Sequence, residues 1–281
     1  MITTFKITNQ KAIKLAQCFI VPGIMVIYGQ NGVGKSTLLH ALRHKTPESF
    51  AGREKVIYNS PYDKIGSYET IVSVLGRLEN ARRNIIAAPS VLDNKNRSID
   101  EQNSISYVYD PLNKLLSALL PHLKFEGFDV ADPASPKCTF NRAHGQNDPS
   151  STWTAVDTDK LSQAEIDVIS LFFPLLEHQI QRRLVPRLEV RSVTDHDDIV
   201  VLMDIPNLLV PLQADLLEYI RSIIREENEE SIQFIIVTSS SALIDKAKPE
   251  ELFMLMPSQQ LAEGSNQLVK VSDGNLCLMP V

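Results

Sequence analysis

Gly29-Gln30-Asn31-Gly32-Val33-Gly34-Lys35-Ser36-Thr37 is a complete G-x-x-x-x-G-K-[ST] stretch. An apolar run, Ile24-Met25-Val26-Ile27-Tyr28, precedes it and reads as a buried strand. Leu38, Leu39 and Leu42 follow at the spacing of one helix face. Strand, glycine loop and helix together give the pattern its mechanism. The glycines let successive backbone N–H groups turn toward a polyphosphate. The helix adds its positive N-terminal end. Lys35 is placed to reach the β- and γ-phosphates, and Ser36 to ligate Mg²⁺. The stretch therefore predicts a nucleoside triphosphate as ligand on an α/β core.

The rest of the chain agrees with one large head. Its 281 residues suffice for one large domain or two lobes on one core. The formal net charge of −6 speaks against a surface coated for nucleic acid. Cys18, Cys138 and Cys277 fit neither a disulfide framework nor a metal pattern, so reduced thiols in a cytoplasmic protein are expected. The start, Met1-Ile2-Thr3-Thr4-Phe5-Lys6, does not read as a secretion signal, and no apolar run reaches membrane-spanning length.

Strand-like segments are expected at residues 4–8, 14–20, 55–58, 199–204, 233–238, 252–256 and 276–279. A helix is predicted over 68–88, with Ile71, Leu75, Leu78 and Ile85 on one side and a surface pair between Glu79 and Arg83. Residues 89–105 read as a loop. Asp110-Pro111 then reads as the cap and first turn of a helix burying Leu112, Leu115, Leu116, Leu119 and Leu120, ended by Pro121. Residues 124–158 read as irregular hairpins, and 212–227 as a helix. The run Ile199-Val200-Val201-Leu202-Met203-Asp204 reads as a central parallel strand covered on both faces. Its terminal Asp204 can share the Mg²⁺ shell with Ser36.

On these residues the chain resembles the ATP-binding-cassette (ABC) ATPases, in the soluble branch that includes the RecF and structural-maintenance-of-chromosomes heads. The glycine loop carries the specific part. Residues 199–211 are similar to the family's Asp-Glu-Pro strand and loop. Leu161-Ser162-Gln163-Ala164-Glu165 stands where the family has its Leu-Ser-x-Gly signature. The resemblance implies an α/β fold with a P-loop core of ABC-ATPase type, a mixed sheet flanked by helices, and a helical lid lobe. Residues 1–60 and 185–281 would be core, and 61–184 lid. It also implies ATP with Mg²⁺, and a head-to-tail pair in which Ser162 caps the γ-phosphate held by another subunit. Ser162 and Glu165 equally form a capping box for a helix starting at Gln163, which needs no ligand.

Two departures bear on chemistry. The family's general base follows the Mg²⁺ aspartate, and here that residue is Ile205. The family's switch histidine falls on Ser239 of Thr238-Ser239-Ser240-Ser241. The segment Ser106-Tyr107-Val108-Tyr109-Asp110 approaches the usual inter-lobe Gln position but contains no Gln. Asp195, Asp197 and Asp198 precede the core strand, and Asn207 could orient water but is no base. Residues 226–230 read as a solvated charge run. Arg182, Arg183, Arg187 and Arg191 read as a solvated face, with a basic strip for nucleic acid or a partner as the alternative. The expected function is an ATP-dependent assembly switch for an effector protein, with weak or no hydrolysis. The resemblance places it in DNA repair or defence against foreign DNA, with nucleic acid met through a complex and no membrane role. The alternatives are an active ATPase in a mixed dimer with an intact partner and, behind it, a transporter's nucleotide-binding subunit.

Overall fold

β3, Ile24–Tyr28, runs directly into the glycine loop and sits in the middle of a seven-stranded sheet. The computed structural model describes residues 4–10, 13–19, 23–44, 55–59, 68–87, 104–129, 137–143, 152–184, 199–205, 210–226, 232–257, 266–272 and 275–277. The chain divides into two compact units, Met1–Tyr62 with Ser192–Val281, and Asp63–Arg191. No described helix is long and apolar enough to cross a membrane.

In the first unit, β1 (Thr4–Gln10) and β2 (Ile13–Phe19) form an antiparallel hairpin. The large sheet adds β4 (Lys55–Asn59), β8 (Ile199–Ile205), β9 (Ile232–Thr238), β10 (Leu252–Pro257), β11 (Asn266–Ser272) and β12 (Asn275–Cys277), in the order β12-β11-β10-β3-β9-β8-β4. β10, β3, β9, β8 and β4 are parallel, and β11 and β12 join antiparallel. Every residue of β8 and β9 is buried, as unbroken apolar runs in a two-faced parallel sheet require. Met25, Ile27, Val200, Leu202, Ile235, Val237, Phe253 and Leu255 share a cluster with Leu38, Leu39 and Leu42 of α1, Lys35–Arg43. Their alternation along each strand is why one face meets this helix. α6 (Val210–Glu226) packs against β9. α7 (Ser241–Lys246) follows β9. Arg221 of α6 binds Glu251 at 2.7 Å and the Lys246 carbonyl at 3.2 Å, tying both helices to the turn that starts β10. β11 was not anticipated, and residues 278–279 of the strand expected over 276–279 lie outside the described residues.

The second unit holds α2 (Tyr68–Ala87), α3 (Ile105–Val108), α4 (Asp110–Leu119), α5 (Gln163–Leu184) and the strands β5 (Leu123–Asp129), β6 (Lys137–Ala143) and β7 (Trp153–Asp157). The three strands form an antiparallel sheet, order β5-β6-β7, with one register irregularity between Phe125 and Gly127 of β5, where irregular hairpins were expected. Phe125 and Phe140 face each other across β5 and β6 and stack edge-on at 5.5 Å, with Tyr109 5.2 Å from Phe125. α4 buries its leucines as predicted, each contributing about 1.5–3 kcal/mol by burial. Pro174 lies inside α5, which continues across it.

Three local expectations are corrected. Asp110 does not cap α4. The short helix α3 moves the N-cap to Tyr109, and Asp110 instead accepts from Arg183 at 3.1 Å. Arg183 also donates to the Tyr107 carbonyl and lies over the Tyr107 ring, so it is held inside this unit and belongs to no free basic strip. Glu79 does pair with Arg83, at 2.8 Å, but it is only 1% exposed, because Arg82 and Tyr109 close over it. Arg187, Arg191, residues 89–103, and Asp195, Asp197, Asp198 and Asn207 lie outside the described residues, as does most of the acidic run.

Candidate nucleotide site

The site is built where β3 ends. Gly29 must be glycine for contact reasons: a Cβ there would lie 2.4 Å from the Leu255 carbonyl oxygen of β10. Gly34 has φ +106°, a left-handed value that side chains resist, and it is the N-cap of α1 without any side-chain cap. The leading N–H groups of α1 are therefore left facing the loop. Val33 is buried in the core cluster and anchors the loop from below, while Gln30, Asn31 and Gly32 are exposed. Thr37 is half-buried on the first turn.

Lys35 folds back over the loop and donates to the carbonyls of Gly29 at 2.7 Å and Gln30 at 3.0 Å. Partial burial lowers its pKa, and the nearby Asp204 carboxylate opposes that only in part. Asp204, penultimate in β8 and 8% exposed, accepts a hydrogen bond from the Ser36 hydroxyl at 2.8 Å. Burial raises the Asp204 pKa against the opposing pull of Ser36 and Lys35. β9 lies between β3 and β8, so Ser36 and Asp204 meet across a strand that belongs to neither. The site thus holds a cation and an acid, each penalised by burial in its charged form. A polyphosphate would favour charged Lys35, and a divalent cation would favour ionised Asp204. Ser36 and Asp204 are hard oxygen donors within one coordination sphere of each other, so the residues fit Mg²⁺.

The structure brings Gly29 through Thr37 together with Asp204. Ile205, the next residue, is 2% exposed and registers with Thr238 of β9. Ser239 is exposed just beyond that strand. Ser240 donates its N–H to Thr238 Oγ1 at 3.0 Å and caps α7. Its hydroxyl also contacts Gln213, a residue not singled out from the sequence. The available signal was a polar residue that α6 buries, 3% exposed, beside its apolar stripe.

Ser162 lies in the other unit, at the start of α5. The capping box is complete: Ser162 N–H donates to Glu165 at 2.6 Å, and Glu165 N–H to Ser162 Oγ at 3.3 Å. Glu165 is fixed further by His122 at 2.8 Å and Arg142 at 2.7 Å. Burial alone would raise the Glu165 pKa, but the hydrogen bonds from Ser162 and His122 and the charge of Arg142 outweigh it and hold it below the usual glutamate range. Ser162 itself stays exposed.

The fold is α/β, a P-loop nucleotide-binding core with a mixed sheet flanked by helices. No protein-family model matches the chain, and a search of curated proteins finds no match. Among solved structures, it is similar over 97% of its length and 98% of the other chain to an SMC head bound to the C-winged helix domain of ScpA, at 13% identity and TM-score 0.49. It is similar over 96% of its length and 99% of the other chain to the SMC head domain from Thermotoga maritima, at 13% identity and TM-score 0.46. Over 100% of its length and 98% of the other chain it is similar to the recombination mediator protein RecF of the RecFOR pathway, at 13% identity and TM-score 0.41.

Proposed function

We propose that this chain is an ATP- and Mg²⁺-binding head that acts as an assembly switch for a protein partner and turns ATP over slowly. One observation carries the reading. The phosphate-side apparatus is intact, with Lys35 over the loop and Ser36 2.8 Å from Asp204, while the next residue, Ile205, is buried and aliphatic. The loop N–H groups and Lys35 would hold the phosphates, and Ser36 and Asp204 the metal. Bound Mg²⁺ would supply charge neutralisation at the phosphate oxygens. Binding depends on these residues and not on a base. Neither Ile205 nor Ser239 can take a proton from water at neutral pH. A positioned base is worth roughly 10²–10⁴-fold in rate, and that part is lost.

The purified chain is therefore expected to retain ATP and release phosphate slowly. Ile205→Glu alone restores little, because Ser239 still offers no histidine contact. Phosphate release and bound nucleotide are measured side by side. Brisk wild-type release that Lys35→Ala abolishes would show that another residue serves as base and would favour the active ATPase reading.

The assembly half rests on the capped, exposed Ser162 turn and on the sequence resemblance, which also supports a setting in DNA repair or defence against foreign DNA. We infer a head-to-tail pair, or a mixed pair with a related subunit, in which Ser162 contacts the partner's γ-phosphate. Ser162→Arg should block pairing by bulk yet leave binding at the chain's own loop unchanged. Native mass spectrometry with ATP and with ADP, with and without co-purified partners, checks this. An oligomeric state indifferent to both nucleotide and substitution rejects the paired arrangement.

A further inference from the structure

We propose that His40 and His44 form a two-imidazole chelate for a divalent transition-metal ion at the C-terminal end of α1. The two residues stand four apart, so both rings lie on one helix face. Their centroids are 4.5 Å apart and the rings are tilted by 50°. A metal–imidazole bond of about 2.0–2.1 Å puts a ring centroid roughly 3.2 Å from the ion, and two such rings at a right angle stand about 4.5 Å apart. The spacing is compatible with two cis ligands on one ion. Both side chains are exposed, so an ion reaches them without rearrangement of the core.

The surroundings favour a cation on separate grounds. His44 is the C-cap of α1, and its N–H donates to the His40 carbonyl at 3.3 Å. The helix places its partial negative charge there, and its last carbonyls face the same end. Arg43, the charged residue between the histidines, has its guanidinium 4.5 Å from the centre of the Tyr58 ring on β4. That contact ties the last turn of α1 to the sheet and holds the histidine face in one arrangement.

Nitrogen donors select the ion class. Imidazole suits Cu²⁺, Ni²⁺ and Zn²⁺, whereas Mg²⁺ prefers the oxygen donors at the opposite end of the same helix. Among the described residues no group of three or more His, Cys, Asp or Glu could hold a metal. In this proposal the remaining coordination positions go to water. The site is independent of nucleotide.

The test is a titration of untagged, nucleotide-free protein with Cu²⁺, the tightest-binding ion of the series, read by calorimetry and by electron paramagnetic resonance. Wild type should bind one Cu²⁺ per chain at this site, with two equatorial imidazole nitrogens in the spectrum. His40→Gln and His44→Gln should each weaken that event at least about tenfold and remove one nitrogen, without changing the melting temperature of metal-free protein. Zn²⁺ should compete for the site and Mg²⁺ should not. Equal affinity and an equal nitrogen count in wild type and both variants, or no binding at millimolar Cu²⁺, overturns the proposal.

Discussion

Lys35→Ala removes the stabilisation that nucleotide confers. At 100-fold its dissociation constant, a ligand of the native state stabilises it by about 2.7 kcal/mol. For a chain of this size that is a rise in melting temperature of about 5–10 °C. Lys35 holds two loop carbonyls at 2.7 and 3.0 Å, and burial keeps its ammonium under-solvated. A triphosphate would replace those carbonyl contacts with full negative charges, so most of the binding free energy depends on this side chain. A thermal-shift titration with Mg²⁺·ATP checks it. Equal shifts in wild type and variant would remove the phosphate loop from the account.

The largest loss of stability is expected from Glu79→Ala in α2. The Glu79 carboxylate is buried and accepts from Arg82 through Nε and Nη2, each at 2.7 Å, from Arg83 at 2.8 Å and from the Tyr109 hydroxyl at 3.3 Å. Removing one partner of a buried ion pair costs about 3–5 kcal/mol, because the remaining charge loses its compensation. The single tryptophan, Trp153, lies in the same unit and reports its unfolding by fluorescence. The pH dependence has a definite sign. Burial would raise the Glu79 pKa, but the arginine hydrogen bonds and charges outweigh it and hold it below the ordinary value. Its contribution is therefore complete above the ordinary glutamate range and is lost as pH falls through that range to the lower native value. Denaturant melts of wild type and Glu79→Gln should converge in acid. A Glu79→Ala loss below about 1 kcal/mol, with unchanged acid sensitivity, would show that the cluster is not a stabilising centre.

The parts read well from sequence are those governed by neighbours along the chain. The glycine loop, the alternation in β3, β8 and β9, and the Ser162–Glu165 box all depend on spacings of a few residues. Glu79 shows the limit. Its pairing with Arg83 follows from helical spacing, but its burial depends on Tyr109, 30 residues away. Asp110 shows another. It reads as a cap only if nothing helical precedes it, and α3, itself capped by the Ser104 side chain, does. The stretch 124–158 read only as irregular hairpins, because the register of β5, β6 and β7 is set by facing pairs such as Phe125 and Phe140. In the site, the pairing of Ser36 with Asp204 was legible, and the two meet in a 2.8 Å hydrogen bond. The Leu255 carbonyl behind Gly29 was not, because a backbone atom leaves no mark in a sequence.

The bond between Ser36 and Asp204 spans 168 positions of chain. That separation fixes when the protein can become competent. During synthesis the loop and α1 emerge before β8, with the whole of Asp63–Arg191 between them. β9 must then fill the gap between β3 and β8, and β10 must arrive to back Gly29. Contacts of such long range form late, after the loop-closure cost has been met. The inserted unit has its own core and can fold on the ribosome first. A nascent chain thus carries the glycine loop through the synthesis of the whole of Asp63–Arg191 before the carboxylate that pairs with Ser36 exists.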